Sequence, residues 1–176
     1  QTSFLRLVQE GEGFGGYALQ SDALEAEVGR IQARGLSVEL RPAGGRVRPD
    51  GQQLQWRTAA LENTMTPFFI QDITPRQFRV PADSQTNTHP NGVTGVSEIV
   101  INAANLDDTI GRYQMLTGLQ NLISFPVGET QIRLTTTAAM DTKNDETLYQ
   151  MTLHTTGQVQ RKSLPDGGLI HFSNQE

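Results

Sequence analysis

The strongest constraint on the fold is an echo within the chain. Leu24, Val28 and Ile31 stand at i, i+4 and i+7, the spacing that gathers apolar side chains on one face of an α-helix. Leu106, Ile110 and Tyr113 repeat that stripe 82 positions later. Similarity at a fixed offset marks a duplicated structural unit. A chain written this way folds from two related halves.

In the first half, Phe14 to Gln20 reads as a strand, and Asp22 with Glu25 three residues on gives a capping-box start for the helix, which Gly35 ends. Val38 to Leu40 begins a second strand. Pro49-Asp50-Gly51 supplies a turn before an alternating run with Leu54, Trp56 and Thr58 on one side and Gln53, Gln55 and Arg57 on a wet one. Pro67 to Ile70 is a last short strand. Residues 74–95, rich in turn formers, read as a linker. The second half restarts with a strand at Ile99–Asn102 and a helix ending near Gly118, then strands at Thr130–Thr137, Leu148–His154 and Leu169–Phe172, with turns at Asp141–Asp145 and Asp166-Gly167-Gly168. The expected fold is α+β, with two βαβββ units forming curved mixed sheets around a cavity. The expected divisions are an N-terminal helical segment at 1–12, carrying Phe4, Leu5, Leu7 and Val8, a first unit at 13–73, the linker, and a second unit at 96–173.

Composition narrows the function classes. At 36% hydrophobic and 19% charged residues the 176-residue chain is globular in character. No apolar run approaches the roughly 20 residues that span a bilayer, so no membrane role is expected, and a cytoplasmic location is. The net charge of −5 comes from scattered acids, without the basic stripe that phosphate-backbone binding needs, so nucleic acid is not an expected partner. The absence of cysteine leaves His, carboxylate and amide oxygen as the candidate metal ligands.

Gly13-Phe14-Gly15-Gly16-Tyr17-Ala18-Leu19 with Asp22-Ala23-Leu24, then Arg46-Val47-Arg48-Pro49-Asp50-Gly51 with Leu54 and Trp56, then His89-Pro90-Asn91-Gly92-Val93-Thr94-Gly95 together resemble the glyoxalase-like domain family of the vicinal-oxygen-chelate superfamily. The resemblance spans about residues 1–120, and beyond Asn121 only the strand pattern agrees. It implies paired βαβββ units curled around a cavity, and a further unit upstream of Gln1, so that the chain is expected to be a piece of a longer protein or to close its two units on each other. A homodimer is one way to complete the pairing.

The resemblance also implies metal ligands on the first and last strands of each unit. Matching strand to strand gives Gly16, which has no donor, Glu98, Gln71 and His171. The last three are the candidate set for a divalent ion (Zn, Fe, Mn or Ni) that acts as a Lewis acid, with Glu98 as base. The competing account makes Glu98 a salt-bridging residue at a strand end, Gln71 an ordinary hydrogen-bonding amide and His171 part of a fraying terminus. Arg46, Arg48 and Trp56 flank the Pro-Asp-Gly turn and form a candidate mouth for a small acidic molecule; the competing account buries Trp56 and leaves the arginines solvated. His154 shares a strand face with Gln150 and Thr152 and is expected to meet solvent, and His89 to serve its turn. No Gly-x-Ser-x-Gly elbow supports nucleophilic catalysis, and Gly44-Gly45 lacks the context of a phosphate loop. Three classes stay open: a metal-dependent lyase, isomerase or dioxygenase; a metal-free small-molecule binding or resistance module; and a partial domain acting through oligomerisation.

Overall fold

A computed structural model describes residues 14–61, 67–80, 88–120, 122–137, 146–163 and 169–174. The proposed helix at 1–12, Gly13 and the turns at Asp141–Asp145 and Asp166-Gly167-Gly168 lie outside them. The fold is α+β with two mixed sheets. Two compact units divide it: Tyr17–Asn87 with Met115–Gly118 in one, and Thr88–Gln114 with Leu119–Glu176 and the residues before Tyr17 in the other.

In the first unit, β1 (Ala18–Gln20) runs parallel to β5 (Phe68–Asp72), which pairs antiparallel with β4 (Gln53–Leu61). The end of β4 carries β2 (Val38–Leu40) and its start carries β3 (Gly44–Val47). Helix α1 (Leu24–Ala33) buries Leu24, Val28 and Ile31, the expected stripe, and the unit's core also holds Val38, Ala59, Leu61 and Phe69. Register explains the choice of sheet residues: Val38 faces Leu61 and Ala59 faces Phe69, and cross-strand partners share a face. The side of β4 read as wet is therefore wet only at its start, because the same parity that exposes Gln53 and Gln55 buries Ala59 and Leu61.

The start of α1 departs from expectation. Asp22 provides no side-chain cap, and the Glu25 carboxylate accepts instead from Arg57 at 2.5 Å. The cap comes from across the sheet: Gln71 Oε1 accepts from the Leu24 N–H at 3.4 Å, and Gln71 Nε2 donates to the Asp22 carbonyl at 2.8 Å. Because β5 lies directly beside β1, its side chain reaches the first turn of the helix that β1 leads into. The helix ends as expected, with Gly35 at φ +99°.

Gly51 closes the Pro-Asp-Gly turn at φ +83° and donates to the Arg48 carbonyl at 2.9 Å. Gly44 has a packing reason: a Cβ built there would lie 2.6 Å from Trp56 Nε1, so the indole covers bare backbone. Within the stretch read as a linker, Arg76–Arg79 forms a short helix, α2, and Arg79 grips Asp72 through two bonds of 2.6 and 2.7 Å.

The second unit is built on β6 (Val93–Ala103), an eleven-residue strand that starts earlier than the expected Ile99. Helix α3 (Leu106–Thr117) follows, capped by Asn105, whose Oδ1 accepts from the Asp108 N–H at 3.3 Å. The sheet order is β10-β11-β9-β6-β8-β7, with β7 Ser124–Val127, β8 Thr130–Thr135, β9 Glu146–Thr155, β10 Arg161–Ser163 and β11 Leu169–Ser173. It reads alike from both ends: β6 and β9 pair antiparallel at the centre, β8 and β11 lie parallel beside them, and β7 and β10 close the edges antiparallel. The two strands the sequence did not announce are these edges. Pro126 in β7 and the polar Arg161–Ser163 are poor strand formers that an edge tolerates.

One face of this sheet is apolar. Ile99, Ile101, Phe125, Ile132, Leu134 and Leu148 are buried, and Tyr113 of α3 meets the Phe125 ring at 5.7 Å between centroids. Buried Glu146 accepts from Thr109 at 3.3 Å and from Arg112, tying α3 to β9. The His89-Pro90-Asn91-Gly92 stretch is a turn clamped to the end of β9: Gly92, at φ +72°, donates to the His89 carbonyl, Thr155 Oγ1 donates to the Asn91 carbonyl at 2.8 Å, and the Thr156 N–H to the Gly92 carbonyl at 3.0 Å. Among the described residues no helix is long and apolar enough to cross a membrane.

Candidate functional site

The other face of the six-stranded sheet is largely polar, around the buried Val100 and the half-buried Leu169. Two registers meet at Thr152, with Glu98 opposite it on β6 and His171 opposite it on β11, and a third places Gln131 opposite Glu98 on β8. Directly paired residues share a face, so Gln131, Glu98, Thr152 and His171 form one row across four strands. Arg133 and Gln150 stand one row along on the same side.

A bulge sets this arrangement. Val96 pairs with Leu153, but Glu98 pairs with Thr152, so Ser97 is the extra residue; its hydroxyl donates to the Thr152 carbonyl at 3.2 Å. Without that insertion Glu98 shares the parity of Val96 and faces the apolar side, because a one-residue slip moves a side chain to the opposite face.

Arg133 Nε and Nη2 donate to the two Glu98 oxygens at 2.9 and 3.4 Å, and the side chains keep 40% and 26% of their exposure. The bond to Glu98 raises the arginine's already high pKa, so Arg133 is a fixed cation. Thr152 is buried and accepts from Gln150 Nε2 at 3.3 Å. The face offers a half-open cation and carboxylate flanked by amides and an imidazole, groups suited to holding an oxygen-rich molecule and moving a proton on it.

The structure distributes the expected site residues unevenly. Glu98 and His171 lie in the same row, on either side of Thr152. Two strand spacings separate them, which puts their backbones about 10 Å apart. Gln71 belongs to the first unit, where its amide caps α1. Arg48 donates to the Phe78 carbonyl at 2.8 Å and pairs with Asp50 at 3.1 Å, holding α2 against the turn. Arg46 is exposed, and its register with Leu54 puts it on the face of β4 that carries Trp56. On that face Asp72 lies opposite Trp56, and the paired bonds from Arg79 hold its carboxyl below the usual carboxylate range against the opposing effect of burial.

These donors do not fit a divalent ion as they are arranged. Both Glu98 oxygens receive N–H groups from a cation that would repel the metal, and the Gln71 oxygen is taken by a helix N–H. Among the described residues no three His, Cys, Asp or Glu side chains converge closely enough to hold an ion.

Two residues of the polar face are absent from the sequence-based candidates. Arg133 looks like one solvated arginine among many until β8 is laid beside β6. His154 does share the parity of Thr152, but its neighbour across the ladder is Gly95, which leaves the imidazole beside a gap rather than open solvent.

A family model described as a glyoxalase-like domain matches residues 2–117. Among solved structures, a hypothetical protein from Staphylococcus aureus superposes with a TM-score of 0.74 at 13% identity, over 97% of this chain and 70% of that one. A methylmalonyl-CoA epimerase from Mycobacterium tuberculosis gives a TM-score of 0.34 at 15% identity, over 48% of this chain and 89% of that one, a likeness too partial to bear on the fold. No curated protein matches the sequence.

Proposed function

This chain belongs to the glyoxalase-like domain family, and from that premise we propose that it binds a small oxygen-rich or acidic molecule on the polar face of its six-stranded sheet. The observation that carries the reading is the half-open pair of Arg133 with Glu98, whose row also holds Thr152 and His171. A carboxylate or enolate oxygen of the ligand takes the place of Glu98 on the guanidinium fork, where two N–H groups match two oxygens. The displaced Glu98 carboxylate is then free to take a proton from carbon beside a carbonyl, as in a lyase or isomerase step. Thr152 and His171 orient the ligand's other oxygens.

The ion common in the superfamily enters no step, because Glu98 is engaged with Arg133 and Gln71 with α1. A metal-free binding module is the same site without the proton transfer.

Titration of labelled protein with a panel of small 2-oxo and 2-hydroxy acids tests the site. The reading expects saturable amide shifts along β6, β8 and β9, lost in Arg133→Gln. Glu98→Ala binds more tightly than the parent, since the competing carboxylate is gone. No saturable shift with any acid, or equal binding in Arg133→Gln, removes the proposal. Metal analysis after supplying Zn²⁺, Ni²⁺, Mn²⁺ and anaerobic Fe²⁺ is the second arm, and stoichiometric metal lost in Glu98→Ala restores the metal-dependent alternative.

A further inference from the structure

Beyond the Arg133–Glu98 site, the same unit holds a separate pocket of about 380 Å³, lined by Thr94, Gly95, Val96, Glu129, Thr130 and His154. Its volume is at the small end of ligand sites. Gly95 makes the room: it lies opposite His154, and a Cβ built on it meets no atom within 4 Å.

The pocket's chemistry is one-sided. Glu129, at the tip of the two-residue β7–β8 turn, is exposed, and among the described residues no lysine or arginine pairs with it. Thr130 Oγ1 donates to the Val96 carbonyl at 2.9 Å, so its hydrogen is used and its lone pairs remain. His154 Nδ1 is buried with no hydrogen-bond partner. A ligand that supplies the missing partner recovers the cost of that unpaired nitrogen. None of the six lining residues is a lysine or arginine, and one carries an uncompensated carboxylate.

We propose that this pocket binds a small organic ammonium ion, with Glu129 as counter-ion, Thr130 Oγ1 and the His154 imidazole accepting N–H bonds, and the ligand's carbon stem over Gly95 and Val96. The inference uses neither Arg133 nor Glu98 and stands or falls independently of the acid site.

Full-length ¹⁵N-labelled protein titrated with n-butylammonium tests it, with butyrate and n-butanol as matched probes of opposite and zero charge. The expected result is saturable shifts of the Thr94–Val96 and Glu129–Thr130 amides with butylammonium, and with neither butyrate nor butanol once Arg133→Gln has silenced the acid site. Glu129→Gln, a change at an exposed turn, weakens binding about tenfold or more, and Gly95→Val, which fills the gap, abolishes it. Unaltered affinity for the amine in Glu129→Gln overturns the proposal, as does a linear, unsaturable response or binding of butyrate or butanol at the same amides in Arg133→Gln protein, where the acid site is silent. If Gly95→Val fails to fold, Glu129→Gln decides alone.

Discussion

Replacing Gln71 by alanine separates a helix cap from a metal ligand. In the structure its amide makes two bonds to the start of α1, one of 2.8 Å to the Asp22 carbonyl and a longer one of 3.4 Å from the Leu24 N–H. The short bond contributes about 1 kcal/mol, as an ordinary neutral hydrogen bond does. The long one contributes less, but its loss leaves the Leu24 N–H of the part-buried first turn without its side-chain acceptor. Together they predict a loss of about 1–1.5 kcal/mol, within the range measured for N-caps. For a chain of this length that lowers the thermal midpoint by about 2–6 °C. Urea denaturation followed by circular dichroism reads it as a fall in midpoint at constant slope, and hydrogen exchange places the loss in residues 24–33. Gln71→Glu keeps the acceptor beside the positive end of the helix and recovers about half. If Gln71→Ala leaves the stability within about 0.3 kcal/mol of the parent while abolishing uptake of a divalent ion, the capping account is wrong and the ligand account right.

Other outcomes follow from the same geometry. Because Arg79 holds the Asp72 carboxyl below its usual range, the folded state releases that proton more readily than the unfolded one. The stabilisation is complete above the unfolded value of about 3.9 and is lost as pH falls through the lower folded value. Asp72→Asn therefore lowers stability at pH 7 by about 1–2 kcal/mol and flattens the acid limb of a midpoint-against-pH curve; an unchanged limb counts against it. Gly44→Ala drives a methyl into the indole ring of Trp56, with an expected cost of about 1–3 kcal/mol and a red-shifted tryptophan emission, whereas unchanged emission means the indole does not cover Gly44. Gly92→Ala adds strain at φ +72° to a contact of 2.7 Å with Thr156 Oγ1, so calorimetry should record a loss of more than about 1 kcal/mol.

What the sequence made legible was local. The helix stripes at Leu24 and Leu106 and the stops at Gly35 and Gly118 depend on residues within a few positions of each other, and both helices form there. The capping-box reading of Asp22 failed because the true cap, Gln71, lies 47 residues from the Leu24 N–H it accepts from and becomes a neighbour only through the parallel pairing of β1 with β5. Edge strands β7 and β10 were invisible because an edge asks little of its residues.

The polar face shows the limit most clearly. Strict alternation from Val96 puts Glu98 on the core side, and a buried, unpaired carboxylate there would cost several kcal/mol. The bulge at Ser97 resolves the conflict by shifting Glu98 to the side where Arg133 waits, 35 residues further along the chain. A reader of the sequence sees one arginine on β8 and a glutamine and a threonine two apart on β9, all consistent with solvent. Only when β8, β6, β9 and β11 are set in register do Gln131, Glu98, Thr152 and His171 become one row, and each of those registers carries its own two-fold ambiguity of face. A polar sheet face is written in the same alternating code whether it meets water or a ligand. The distinction comes from what stands beside each polar group, such as the cation on Glu98 or the missing side chain opposite His154, and those neighbours are set by pairing rather than by local pattern.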